Sequence, residues 1–254
     1  MNSVVEVDKT TRELLSLYAG QYENEAFLQG DPSWWMHQVS GVDNQEAMAF
    51  LASCLSYGSR EQFMSKIGKL LEWSEGDVDG WVRSGEYADR FMENDSGCFY
   101  RLYSKSTMRK LLDAYRRLLA EHDTMGNYVQ NKASDGLGAV QALCRFFAEH
   151  DASAVVPHDA KSACKRLCMF LRWMVRDNSP VDLGLWAGFI DRRTLVMPMD
   201  THVMQQSVRL GLLKGSTASM SAALRLTATL ATVFPDDPLK GDFALFGYGV
   251  AHKK

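Results

Sequence analysis

The chain has 254 residues, 46% of them hydrophobic and 23% charged, with a formal net charge of −3. That balance suits a globular protein of one or two domains and excludes a disordered, collagenous or coiled-coil chain. It also excludes a molecule whose whole surface draws in nucleic acid by charge alone.

Apolar residues recur at helical spacing along most of the chain, which predicts an all-α fold. Residues 1–11 lack a basic stretch followed by an apolar one, and no run reaches the roughly 18 apolar residues of a membrane span. A cytoplasmic protein with no membrane partner is expected. Residues 1–50 are acidic, with two basic and eight acidic side chains. Trp34 and Trp35, adjacent after Pro32, read as packing residues, with stacking on an extruded base as the alternative. Asp43 with Glu46 offers a cap before Ala47, Phe50, Leu51, Cys54 and Leu55, and Gly58 closes that helix. Met64, Ile67, Leu70 and Leu71 mark the next, ended by Ser74-Glu75-Gly76. Further helices are predicted over Ser104 to Leu119, Gly138 to Phe147, Ser162 to Val175, Ser219 to Val233 and Pro238 to Tyr248. Breaks are expected at Gly126-Asn127, Val156-Pro157-His158, Asn178-Ser179-Pro180 and Pro235 to Pro238. No alternating runs are joined by Asn-Gly or Asp-Gly turns, so strands are not expected. Two helical lobes follow, one over about residues 40–150, with a segment of about 155–215 carrying the chemistry.

Five cysteines (Cys54, Cys98, Cys144, Cys164 and Cys168) are an odd, scattered set, which reads as buried thiols in a reducing compartment. Cys164 and Cys168 have no partners at finger-like spacing, so neither a metal nor any other cofactor is expected. Two stretches are basic: residues 101–118, with Arg101, Lys105, Arg109, Lys110, Arg116 and Arg117 against Asp113, and residues 160–176, with five cations and no acid. Charge alone reads both as solvated helix faces, with phosphate contact as the alternative.

The chemistry-bearing residues lie in two segments. In the first, Lys165, Arg172 and Arg176 fall at i, i+7 and i+11, along one helical face. In the second, the apolar run Leu195 to Met199 ends at Asp200, at the N-cap of a helix that starts at Thr201 and stops at Gly211. A carboxylate there faces the positive end of the helix dipole, which favours its ionised form. A lysine nucleophile must instead lose its proton, through burial or neighbouring positive charge. An amine beside a fixed carboxylate can form a Schiff base with a sugar carbon while the carboxylate steadies developing positive charge. The plainer reading makes Lys165 a snorkelling surface lysine and Asp200 a cap. His202 reads equally as a phosphate contact or as local packing, and Asp182 as a further helix cap.

Met197-Pro198-Met199-Asp200-Thr201-His202-Val203, followed by Arg209-Leu210-Gly211-Leu212, resembles the catalytic-aspartate segment of the helix-hairpin-helix DNA glycosylases, the endonuclease III superfamily. Lys165 with its apolar helix resembles their catalytic-lysine helix, at a lysine–aspartate separation closer to the archaeal 8-oxoguanine DNA glycosylases. Over roughly residues 15–250 the chain also resembles a bacterial family of unknown function assigned to that superfamily. Its marks are Leu55-Ser56-Tyr57-Gly58-Ser59-Arg60, Phe170-Leu171-Arg172-Trp173-Met174-Val175-Arg176, Val181-Asp182-Leu183-Gly184 and Asp237-Pro238.

The resemblance implies two α-helical lobes with a DNA-binding cleft, and a base-excision repair glycosylase, with AP lyase activity, that removes an 8-oxoguanine-like base from duplex or single-stranded DNA. Lys165 would be the Schiff-base lysine and Asp200 the aspartate, with Lys161, Arg166, Arg172, Arg176 and His202 on the DNA and the protein a monomer. Two features depart from the pattern. Val156-Pro157-His158-Asp159-Ala160-Lys161 stands in place of the glycine-rich hairpin, and no cysteine follows Cys168 to hold an iron–sulfur cluster. The alternatives are a glycosylase-like module that binds DNA without chemistry, and a scaffold whose acidic first lobe binds a protein.

Overall fold

The computed structural model describes residues 4–215 and 217–252. Among the described residues the regular structure is eleven α-helices, four short 3-10 helices and one two-stranded hairpin, so the fold is all-α. In chain order these are α1 (Lys9–Tyr22), α2 (Val42–Leu55), α3 (Arg60–Trp73), α4 (Val78–Ser84), β1 (Cys98–Tyr100), β2 (Tyr103–Ser104), α5 (Lys105–His122), α6 (Met125–Lys132), α7 (Gly136–Glu149), α8 (Lys165–Val175), α9 (Thr201–Arg209), α10 (Met220–Ala231) and α11 (Lys240–Ala251). The chain divides into two compact units. The first holds the chain up to Gln29, Asp135–Val140 and the chain from Ala160 onward; the second holds Gly30–Ser134 and Gln141–Asp159.

In the second unit α2 is central. Every residue from Glu46 to Leu55 is buried, and a helix buried on all sides belongs in the middle of its neighbours. Phe50 lies between Tyr115 and Phe147, with ring centroids 5.0 Å from each. Glu46 does not cap its own helix, which starts behind Gly41. Its buried carboxylate accepts the backbone N–H groups of Met125 (2.8 Å) and Gly126 (3.0 Å) at the head of α6. Thr124 adds an N-cap bond from the Asn127 amide at 2.9 Å. The break expected at Gly126-Asn127 is therefore the first turn of a helix whose orphan donors are satisfied from α2. Asn44 likewise serves α4, accepting from the Val78 amide at 2.7 Å.

The hairpin was not expected because its turn lacks the usual residues. Cys98 pairs with Ser104 and Tyr100 with Tyr103, so the loop is Arg101-Leu102. Arg101 supplies the positive φ (49°) that glycine or asparagine normally provides in such turns.

In the first unit α1 lies along α11. Gly247 allows this, since a Cβ there would come within 2.3 Å of the Tyr22 ring. Phe27 packs edge-on against Phe243 (4.8 Å) and Phe246 (5.0 Å). Within the same unit α8 is buried from Leu167 to Val175, which leaves Lys165 and Arg166 as its half-exposed residues. No helix among the described residues is long and apolar enough to cross a membrane.

Candidate functional site

Lys165 and Asp200 each stand at the head of a helix in the first unit. Lys165 is the first residue of α8, behind Cys164, whose backbone is left-handed (φ 43°). The first turn of α8 contains no acid. Lys165 therefore stands at the positive end of the helix dipole. Asp200 is the N-cap of α9, and its Oδ1 accepts the Val203 amide at 2.7 Å. Behind it, Leu195 to Met199 run buried and extended, and the Met197 amide donates to Thr227 Oγ1 of α10 at 2.9 Å. A buried, hydrogen-bonded segment therefore fixes where the half-exposed carboxylate sits.

Arg172 and Arg176 do not share an exposed face with Lys165. They are 3% and 1% exposed and lie inside an ion cluster. Arg172 donates to Asp182 (3.2 Å) and to Asp242. Arg176 donates Nε–H to both oxygens of Asp237 (3.0 and 3.1 Å), and its Nη atoms reach Asp182, Asp237 (2.8 Å) and Glu23 (2.5 Å). Both guanidinium groups lie over the Phe243 ring, at 4.8 and 5.2 Å. These arginines are paired with carboxylates of their own chain and are buried, so the exposed face expected for DNA contact is not formed by them. Burial alone would weaken the protonation of Arg176, but the charges of Asp182 and Asp237 more than offset it and hold its pKa above the ordinary value. Burial pushes the Asp182 carboxyl up, against the pull of Arg172 and Arg176. Asp182 heads no helix, so its reading as a cap is also corrected. Sequence reasoning missed the cluster, although charged residues in an otherwise apolar helix signal buried, paired groups.

The other expected contacts sort by exposure. Lys161 is exposed and Arg166 half-exposed. His202 turns its ring inward: Nε2 is buried without a hydrogen-bond partner among the described residues, and a Cβ on Gly249 would lie 2.0 Å from Cε1. Its ring centroid stands 6.3 Å from that of Phe246. Of its two readings, this arrangement is local packing. Trp35 is a packing residue, donating to Met64 Sδ at 3.3 Å, while Trp34 is 40% exposed. In α5 the basic residues are held by acids or carbonyls: Arg109 by Asp113, Lys110 by Asp151, Arg116 by the Arg83 carbonyl and Arg117 by Glu121. Four cysteines are buried and Cys98 is exposed. Burial pushes the Cys168 thiol well up, which makes it a poor nucleophile. Among the described residues no group of three or more His, Cys, Asp or Glu could hold a metal ion. A cavity of about 430 Å³ opens over the ion cluster, lined by Glu23, Arg176, Asp177, Arg192, Asp237 and Lys240 among others, and it borders neither Lys165 nor Asp200.

A family described as a protein of unknown function (DUF2400) matches residues 31–251, and the chain belongs to it. No curated protein and no solved structure matches the chain.

Proposed function

We propose that this member of the DUF2400 family is a DNA base-excision glycosylase that works through Lys165 and Asp200, a relative of the helix-hairpin-helix DNA glycosylases. The observation that carries the reading is the placement of both residues at half-exposed helix heads in one compact unit, with the carboxylate locked by the Val203 amide. The neutral amine attacks C1′ of a damaged nucleoside, and the glycosidic bond breaks with its electron pair leaving on the base, which takes up a proton. The Asp200 carboxylate balances positive charge on the sugar as the bond opens. The C1′–O4′ bond then opens with its electron pair on O4′, which takes up the remaining N–H proton, so the amine and C1′ are left as an imine. Water releases the lysine from it, or loss of a C2′ proton expels the 3′ phosphate first. Lys161 and Arg166, close to Lys165 in the chain, are not buried.

The test is chemical trapping. Borohydride reduces an imine to a permanent bond, so the protein incubated with duplexes carrying 8-oxoguanine, uracil or an abasic site should give a covalent adduct. Lys165→Ala should abolish the adduct and leave most DNA affinity, and Asp200→Asn should slow base removal. Adduct formation through another amine would sink the assignment of Lys165. The second reading, a module that binds DNA without chemistry, is favoured by the absence of glycine from residues 156–161. It wins if DNA is bound while no lesion is trapped or excised.

A further inference from the structure

The mark Leu55-Ser56-Tyr57-Gly58-Ser59-Arg60 has no part in the chemistry above, yet it builds a defined object in the second unit. Tyr57 braces the β1–β2 turn. Its hydroxyl donates to the Tyr100 carbonyl and accepts the Leu102 amide, both at 3.3 Å, while the Tyr100 hydroxyl donates back to the Tyr57 carbonyl. The Tyr57 ring packs on Tyr100 (5.0 Å) and Tyr103 (5.1 Å). The Arg101 guanidinium lies 5.7 Å from the Tyr57 ring centre. Gly58 is required beside it: φ is 81°, and a Cβ would stand 2.8 Å from Arg101 Cδ and Nη1.

What this brace presents is Leu102, 87% exposed, the most exposed large apolar side chain among the described residues. A single exposed leucine ordinarily calls for no explanation. Here it stands on a turn whose other residue, Arg101, holds the unfavourable positive φ of 49°, fixed by a tyrosine from another segment. Strain kept in place by surrounding structure points to use. The charge around the tip also selects a partner. Arg101 and Arg60 are exposed there, whereas Lys105 is paired with Asp95 at 2.8 Å. A rigid apolar point beside exposed arginines matches a duplex, where apolar side chains enter between base steps while arginine meets the neighbouring phosphates.

We infer that the β1–β2 tip is a DNA contact in which Leu102 enters the base stack and Arg101 meets a flanking phosphate. This rests on the reading of the protein as DNA-acting, and it needs no chemistry at Lys165. The test uses the full chain and a duplex carrying 2-aminopurine beside a tetrahydrofuran abasic analogue. Binding should raise the 2-aminopurine fluorescence; Leu102→Ala should lose most of that rise while still binding, and Leu102→Phe should keep it. Arg101→Gly relieves the turn, so it should melt no lower than the wild type, yet flatten the log–log salt dependence of binding by about 0.9. Binding with no fluorescence change, or an unchanged response in Leu102→Ala, overturns the tip assignment and leaves the glycosylase reading to its trapping result. Leu102-dependent unstacking without trapping at Lys165 keeps the tip and removes the glycosylase. No binding at low salt overturns both. Leu102-dependent sedimentation of the protein alone assigns the tip to contact between copies and overturns the proposal.

Discussion

Replacing Arg176 with methionine tests whether the buried cluster is organised by net charge. The cluster contains two guanidinium groups and four carboxylates, Glu23, Asp182, Asp237 and Asp242, so it already carries excess negative charge. Arg176→Met fills similar space but leaves Asp182, whose side chain is 0% exposed, and Asp237, at 8%, without their main counter-ion. Removing one partner of a buried ion pair costs about 3–5 kcal/mol. In a chain of this size that lowers Tm by roughly 6–20 °C, at about 2–4 °C per kcal/mol. Asp182→Asn acts oppositely on the charge excess, so it should cost much less at neutral pH. The pH dependence has a fixed sign. The folded-state pKa of Asp182 lies above its unfolded value of about 3.9. The wild type therefore binds a proton at this site more readily when folded, and gains stability as pH falls through the folded value. That gain is complete below the unfolded value, is lost as pH rises through the folded one, and is absent from Asp182→Asn. Urea unfolding followed by circular dichroism, with midpoints compared at constant slope, measures both variants. An Arg176→Met protein as stable as the wild type refutes the reasoning, and so does an Asp182→Asn protein that loses as much as Arg176→Met.

Glu46→Ala removes the carboxylate that accepts the Met125 and Gly126 amides and leaves two buried donors unpaired, so it should destabilise the second unit by about 1–3 kcal/mol. Hydrogen exchange at Met125 and Gly126 should accelerate first; unchanged exchange there counts against the cap. Gly249→Ala drives a Cβ into the His202 ring, so it should destabilise, whereas His202→Ala should tolerate it. A double-mutant cycle should then give a coupling of about 0.5–3 kcal/mol, and additivity rules out the contact.

The helices were legible because the apolar period is carried by residues that also pack. The prediction for Ser104 to Leu119 meets α5 at Lys105–His122, with Ser104 as its N-cap. The sequence reading failed where the deciding partner is distant in the chain. Near Gly126 the local signal is the Thr124 cap alone, because the group that satisfies the Gly126 amide is the distant Glu46 carboxylate. The hairpin was illegible for a related reason: Arg101 takes a conformation that its own side chain disfavours, and Tyr57 holds it there. The Asp200 cap could be read from the sequence, but the helix expected from Ser162 begins at Lys165, behind the left-handed Cys164 that nothing in the period announces. The fates of Arg172 and Arg176 could not be read from helical spacing, which gives the angle between residues and not the direction of solvent.

Three of the stretches singled out in the sequence, Phe170 to Arg176, Val181 to Gly184 and Asp237-Pro238, describe architecture more than chemistry. Arg172, Arg176, Asp182 and Asp237 come from three of the four marks and close on one another in a single cluster. Val181-Asp182-Leu183-Gly184 also finishes α8. The Leu183 and Gly184 amides donate to the Trp173 carbonyl at 2.8 and 3.2 Å, and the Trp186 amide donates to that of Met174 at 2.6 Å. Gly184 has φ 66°, and a Cβ there would lie 2.8 Å from the Asp177 Cα. A helix end this deeply buried must have its carbonyls satisfied by the chain that follows, so the returning loop is constrained in sequence whatever the protein does. A search for function from such marks would have gone to the arginines, the most strongly charged residues of α8, and they are the ones the fold consumes. The half-exposed residues at the other end of the same helix, Lys165 and Arg166, are set by that burial, because a helix anchored over nine residues can hold its first turn still. On the proposed glycosylase reading, preorganisation of the Lys165 amine is the contribution of the cluster, made at the far end of α8 without any arginine touching the substrate.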